Sequence, residues 1–190
     1  MNGQSMPDKE KVSMYFIAVI LPPALNELIL AFKNYMLEKY NCNVGLKSPA
    51  HITLIAPFWM REEQEPQLIT DIEIVSEPAR CFRMESNDFS AFQPRTIFID
   101  VKNGPELNAL KSTTDAFFKE KDYKIKIDQR PFHPHITIAT RDLHKKSFYE
   151  AWDYFKVKSF RKEWIADNIS LLKHNKKNWD VIHTSQFQNR

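Results

Sequence analysis

Apolar residues fall along this chain in short blocks that switch between two periods. "MYFIAVIL" (14–21) is an unbroken apolar run rich in aromatic and β-branched residues, closed by Pro22-Pro23, and predicts a buried strand. From Ala24 to Tyr40 the apolar positions are Leu25, Leu28, Ile29, Phe32, Tyr35, Met36 and Tyr40. That is helical spacing, with Pro23 just ahead of the helix, where a missing N–H costs nothing. A strand is expected from His51 to about Ile55, stopped by Pro57, and a helix between Gln64 and Val75 with Leu68, Ile69, Ile72 and Val75 on one side. Two further strands are expected in 80–92 and 96–102, split by a turn at Gln93-Pro94. A third helix follows Gly104-Pro105 and turns Leu107, Leu110, Thr114, Phe117 and Phe118 inward, and a strand follows at about 135–140. "KSFYEAWDYF" (146–155) predicts a helix; "NISLLKH" and "WDVIHTSQF" predict a closing hairpin around Asn175–Asn178.

The blocks at 51–55 and 135–140 open on the same three residues. His51-Ile52-Thr53 in "PAHITLIAPF" returns as His135-Ile136-Thr137 in "FHPHITIATR", 84 positions later, and each copy lies between two predicted helices. This is a weak internal duplication, and it predicts an α+β chain of two lobes, each a small antiparallel sheet backed by helices. With 190 residues, 43% of them hydrophobic and 27% charged, a single domain with its own core is expected over 14–190, behind a flexible arm over 1–13. No apolar run reaches the ~20 residues of a membrane span. The polar N-terminus has no secretory pattern, so a cytoplasmic monomer is expected. Cys42 and Cys81 form no CxxC pair and have no histidine at metal-ligand spacing; two reduced thiols are expected, at least one of them buried. A net charge of +3 permits a nucleotide or RNA substrate without arguing for one.

On a strand, residues two apart share a face. His51 and Thr53 therefore point one way, as do His135 and Thr137, while the isoleucines turn behind. Two such strands on one cleft suit phosphodiester cleavage. One imidazole removes a proton from the attacking oxygen, the other protonates the leaving oxygen, and the hydroxyls donate to the non-bridging oxygens. The pattern leaves the acid and base roles unassigned, and the scheme needs no metal or other cofactor. One copy of the motif alone is no more than a good strand with a tolerated histidine; the pair carries the signal.

Two His-x-Thr motifs, each followed by apolar residues and separated by about 80 positions, resemble the 2H phosphoesterase superfamily, which includes bacterial 2′-5′ RNA ligases and RNA 2′,3′-cyclic phosphodiesterases. The likeness runs from "MYFIAVIL" to the closing hairpin; "PHITIATR" is similar to the second motif and "FSAFQPRTIFIDV" (89–101) to the segment joining the lobes. The resemblance implies a bilobal, pseudo-two-fold α+β fold with a central cleft. It implies that His51 and His135 are catalytic and that Thr53 and Thr137 hold phosphate. The implied substrate is a 2′,3′-cyclic phosphate or 2′-5′ linkage of an RNA end or small nucleotide. After "HITL" the family commonly has Phe and Gly, whereas "IAPFW" stands here, at the border of the substrate loop. A non-catalytic RNA- or nucleotide-binding module retaining the cleft is the alternative from another class.

Further candidates are weaker. Arg141 would share the face of His135 if its strand ran that far, and is a candidate phosphate ligand. Tyr15, Phe58 and Phe132 are candidates to stack on a base, as are Trp59 and Phe92, with core packing the competing reading for all of them. His133 and His135 form a His-x-His pair, but no third zinc ligand is apparent. Arg95 reads as a surface ion pair, and His144, His174 and His183 as surface or edge residues. "KHNKKN" (173–178) reads as a solvated turn that could also guide a polyanion.

Overall fold

The computed structural model describes residues 10–189. Among them are two four-stranded antiparallel sheets. The first runs β2 (His51–Arg61), β1 (Val12–Ile20), β7 (Asn168–His174), β8 (Trp179–Gln186); the second runs β5 (His135–Ala139), β4 (Thr96–Val101), β3 (Phe82–Phe92), β6 (Glu163–Ala166). The helices are α1 (Pro23–Tyr40), α2 (Glu65–Ser76), α3 (Pro105–Lys119) and α4 (Lys145–Phe155). The expected α+β class and element order hold. The C-terminal hairpin β7–β8 returns to complete the first sheet, so the lobes are interleaved in sequence.

Both repeat strands lie at sheet edges, β2 pairing only with β1 and β5 only with β4, and the two edges contact each other. The helix ahead of each repeat crosses to the opposite one: α1 packs on β5 and α3 on β2. One continuous apolar core joins residues of both sheets, with Tyr15, Ile17, Ile52, Ile97, Ile99, Ile136 and Leu171 all buried in it. Cys42 is buried, Cys81 is half-buried, and both are free thiols.

Four local expectations are corrected. β2 does not stop at Pro57 but continues to Arg61. As an edge strand it needs no N–H at that exposed position, and the β1–β2 register shifts between Tyr15 and Ile17 to accommodate the irregularity. β1 begins at Val12, inside the expected arm; residues 1–9 lie outside the described residues. The short β6, unanticipated from sequence, buries Trp164 and Ala166 and exposes Glu163 and Ile165. The buried stripe of α1 is Leu25, Ile29, Lys33 and Met36, leaving Leu28 exposed and placing a lysine where an apolar residue is expected.

The turn between α1 and β2 presses Gly45 against β5, where an added Cβ would stand 2.2 Å from the carbonyl oxygen of Ile138. A backbone atom cannot rotate away as a side chain can. Gly45→Ala should therefore destabilise the fold by about 1–3 kcal/mol, the usual cost of overpacking. Denaturant unfolding of the variant checks this, and an unchanged midpoint would show that β5 yields freely.

Candidate active site

The two repeats share a hydrogen-bond pattern as well as a sequence. One residue before each histidine, a carbonyl accepts from the neighbouring strand: Leu21 N–H donates to Ala50 O (3.1 Å) and Val101 N–H to Pro134 O (3.3 Å). Two residues before, a carbonyl meets the ring: His51 Nδ1 lies 2.8 Å from Pro49 O, and His135 Nδ1 lies 2.8 Å from His133 O. A carbonyl oxygen only accepts, so each Nδ1 carries hydrogen whatever the charge state. Each Nε2 is left to take up or give a proton. The rings rest on aromatic side chains, His51 on Phe16 (centroids 4.8 Å apart) and His135 on Phe98 (4.9 Å).

Both histidines resist protonation, and burial is the main reason in each case. His51 is pushed down to about 4 by desolvation, offset in part by the Pro49 carbonyl, and is lowered further by the charges of Lys33 and His135. His135 is also lowered; desolvation dominates, the His133 carbonyl and Asp100 oppose it, and the His133 charge adds to it. The charge of His135 is felt at His51, which places the two rings on one electrostatic site.

A cleft of about 610 Å³ opens along this face. Thr53 and His135 line it, and His51 and Thr137 are half-buried on the same strand faces beside them. Its far wall comes from α3 and the segment before β5. Lys111 of α3 pairs with Asp115, and its ammonium sits 5.6 Å from the Phe132 ring centroid. Lys126 and Arg130 add positive charge at the same wall, with Asp128 gripping Arg130. His133 lines the cleft too, its Nε2 2.9 Å from Asp100 Oδ1. Among the described residues no three His, Cys, Asp or Glu side chains cluster as a metal site.

Of the stacking candidates, Phe132 and Phe92 line the cleft, and Phe92 packs against both His133 and His135. Tyr15 and Phe58 do not. They lie side by side in the core, with the Tyr15 hydroxyl donating to Glu65 (2.8 Å) and pushed up to about 12 by burial and that carboxylate. Arg141 leaves the face of His135 as well. β5 ends at Ala139 and the chain turns at Arg141 (φ 51°), which carries Asp142 back to accept from the N–H groups of Asn43 (2.7 Å) and Val44 (2.9 Å). Trp59, Arg95 and His144 are exposed and line no part of the cleft; His174 stacks edge-on against Trp179, and His183 lies near Glu73. Three residues near the site escaped the sequence reading: Lys33, Asp100 and Lys111. Lys33 had a signal, as the one charged residue in an apolar helical stripe.

The family model of the 2′-5′ RNA ligase superfamily matches residues 21–178. A protein of Bacillus cytotoxicus provisionally named a phosphoesterase is 27% identical over 171 residues, covering 87% of this chain and 92% of that relative. Among solved structures, Escherichia coli LigT complexed with 3′-AMP superposes with a TM-score of 0.65 at 17% identity, covering 94% of this chain and 99% of that one. TT0787 of Thermus thermophilus gives 0.62 at 18% identity, covering 93% and 99%. The architecture described above is therefore the LigT fold.

The depressed value of His51 has a consequence for stability. Unfolded, the ring takes its proton near 6.5; folded, it resists down to about 4. Over that window the unfolded chain binds more protons, so this contribution is complete above 6.5 and is lost as pH falls toward 4. His51→Gln should remove it. Urea unfolding at pH 7, 5.5 and 4 should show the wild type losing stability more steeply than the variant, and parallel losses would mean His51 titrates normally.

Proposed function

The chain belongs to the 2′-5′ RNA ligase superfamily, and we propose that it is a phosphoesterase opening 2′,3′-cyclic phosphates, at RNA ends or on small nucleotides, by two-histidine acid–base catalysis. The observation that carries this reading is the matched anchoring of His51 and His135. Each is fixed through Nδ1 to a carbonyl and followed two residues on by a threonine, and the two stand on edge strands that contact each other. His135 and Thr53 line the cleft between them, with His51 and Thr137 half-buried on the same strand faces. LigT has been crystallised with 3′-AMP and with NADP+, which favours a nucleotide-sized ligand here as well.

In the hydrolytic direction, one Nε2 accepts a proton from water as the water oxygen bonds to phosphorus. The other imidazolium donates its proton to the ribose oxygen whose bond to phosphorus breaks. Thr53 and Thr137 donate to the two non-bridging oxygens as charge grows on them. The product is a nucleoside monophosphate ester with one ribose hydroxyl freed. Ligation uses the same groups. A 5′-hydroxyl attacks the cyclic phosphorus in place of water and gives its proton to the neutral imidazole. The bond from phosphorus to the 3′-oxygen breaks with that oxygen protonated by the imidazolium, and a 2′-5′ linkage is left. Lys126 supplies positive charge for a polyanionic substrate, beside Lys111 and Arg130 held in pairs with Asp115 and Asp128, and Phe132 and Phe92 offer apolar faces to its base.

His51→Ala and His135→Ala should each lower kcat on a 2′,3′-cyclic mononucleotide or cyclic-ended RNA by roughly 10²- to 10⁴-fold, with the double variant scarcely worse. Comparing the two substrates separates an RNA-end enzyme from a small-nucleotide one. Tight binding without turnover of either would favour a binding module instead. Exhaustive chelation with EDTA should leave the rate unchanged; loss restored by zinc would move His133 and His135 into a metal site.

The pH profile should be a bell lying on the acid side of the ordinary histidine range. kcat/KM reports the free enzyme, in which His51 is held at about 4 and His135 below 6.5. A bound phosphate favours both imidazolium forms, so the kcat profile should lie at higher pH than that of kcat/KM. The two limbs belong to the coupled pair. A kcat/KM profile flat from pH 4 to 8, with chemistry rate-limiting, would rule out paired histidine catalysis.

A further inference from the structure

The repeat frame is nearly symmetric, and its departures from symmetry are charged. The residue directly opposite His51 on the neighbouring strand is Ile20, and the residue opposite His135 in the second sheet is Asp100. Directly opposed residues on paired strands project to the same face, so His135 has a carboxylate neighbour where His51 has an aliphatic one. Asp100 also bonds His133 Nε2 at 2.9 Å and accepts from Asn87 at 3.3 Å, which fixes it beside the cleft.

The other departure is Lys33. It sits on the helix that crosses between the repeats, only 4% exposed, and its ammonium donates to the carbonyl of Ser48 (3.0 Å), three residues ahead of His51. Among the described residues no carboxylate is bonded to it. Desolvation lowers it to about 8, so it remains a cation throughout the range in which histidines titrate. Replacing an unpaired buried ammonium by an apolar chain ordinarily stabilises a protein. Lys33 therefore stands at a place the fold alone does not call for, bonded to the segment that leads into His51, where its charge adds to what burial does.

We propose that Lys33 and Asp100 are positioning residues that break the symmetry of the site: Lys33 keeps the proton off His51, which becomes the general base, and Asp100 holds the proton on His135, which becomes the general acid. This rests on the two-histidine reading above. The other charged groups around the pair are His133, which precedes β5, Lys111 and Asp115 of α3, and Lys126, Asp128 and Arg130 on the cleft wall. His133 opposes a proton on His135 and is itself engaged by Asp100; Asp115 is engaged by Lys111 and Asp128 by Arg130. Of these charges, Lys33 and His135 itself oppose a proton on His51, while on His135 the charge of His133 opposes a proton and that of Asp100 favours one, each acting on top of burial.

The test is a histidine titration by NMR on ring-labelled full-length protein, read alongside the pH profile. In Lys33→Met the titration of His51 should move up toward the ordinary histidine value, the acid limb of kcat/KM should move with it, and the basic limb should stay. Thermal stability should be unchanged or higher, the opposite of what loss of a structural contact gives. In Asp100→Asn, His135 should move down and the basic limb should move to lower pH, with His51 unaffected. The proposal is overturned if His51 does not move in Lys33→Met, or if wild-type His51 holds its proton to higher pH than His135. Should Lys33→Met fail to fold, the order of the two wild-type titrations and the Asp100→Asn shift still decide. Absence of any turnover by the wild type would sink the functional reading instead, while the titrations still judge the charge assignment.

Discussion

The hydrogen bond from each histidine Nδ1 to the carbonyl two residues earlier is the interaction on which the chemistry of this site rests. It fixes the ring plane and the tautomer and leaves Nε2 of each ring to exchange a proton. It exists because the residue between, Ala50 or Pro134, gives its own carbonyl to the neighbouring strand. The backbone thus enters each repeat with one carbonyl in the ladder and the previous one free for the ring. A small edge strand achieves with backbone alone what many sites assign to a carboxylate. The ring is oriented without a fixed negative charge behind it, and burial can hold it neutral.

Burial and orientation act on both histidines, and charge near the cleft adds to the difference between them. Desolvation lowers both, and two matched imidazoles under one substrate would share a single proton without preference. Acid–base catalysis gains from a pair whose members differ. Burial lowers His51 further than His135, and in the assignment proposed above charges on α1 and β4 add to that difference. The crossing of α1 onto β5 lets one helix place a cation between the repeats.

Much of this was legible in the chain. The strand–helix–strand order, the duplication and the shared face of His51 with Thr53 follow from period and spacing, and the structure has the elements in that order. What escaped was set by long-range geometry. Nothing local says that β2 is an edge strand, and only that fact lets it run through Pro57. Alternation carries Arg141 onto the face of His135, but Asp142 is drawn back to cap the N–H groups of Asn43 and Val44, and the chain turns first. Tyr15 and Phe58 look available for stacking until β1 and β2 pair them with each other inside the core. Asp100 gains meaning only when its cross-strand partner is known to be His135.

The places where local rules fail are also where the site lies. A lysine in an apolar stripe and two desolvated histidines all oppose stability. A sequence selected for folding alone would replace most of them. Gly45 lets the turn before β2 lie against β5, and Lys33 reaches the space beside that turn. The close approach and the buried charge therefore meet at one turn: Gly45 lies against Ile138 of β5 and against the Lys33 stem, whose ammonium bonds Ser48 just ahead of β2. Loosening it would disturb geometry and protonation together, so this corner of the fold couples the structure of the cleft to its chemistry.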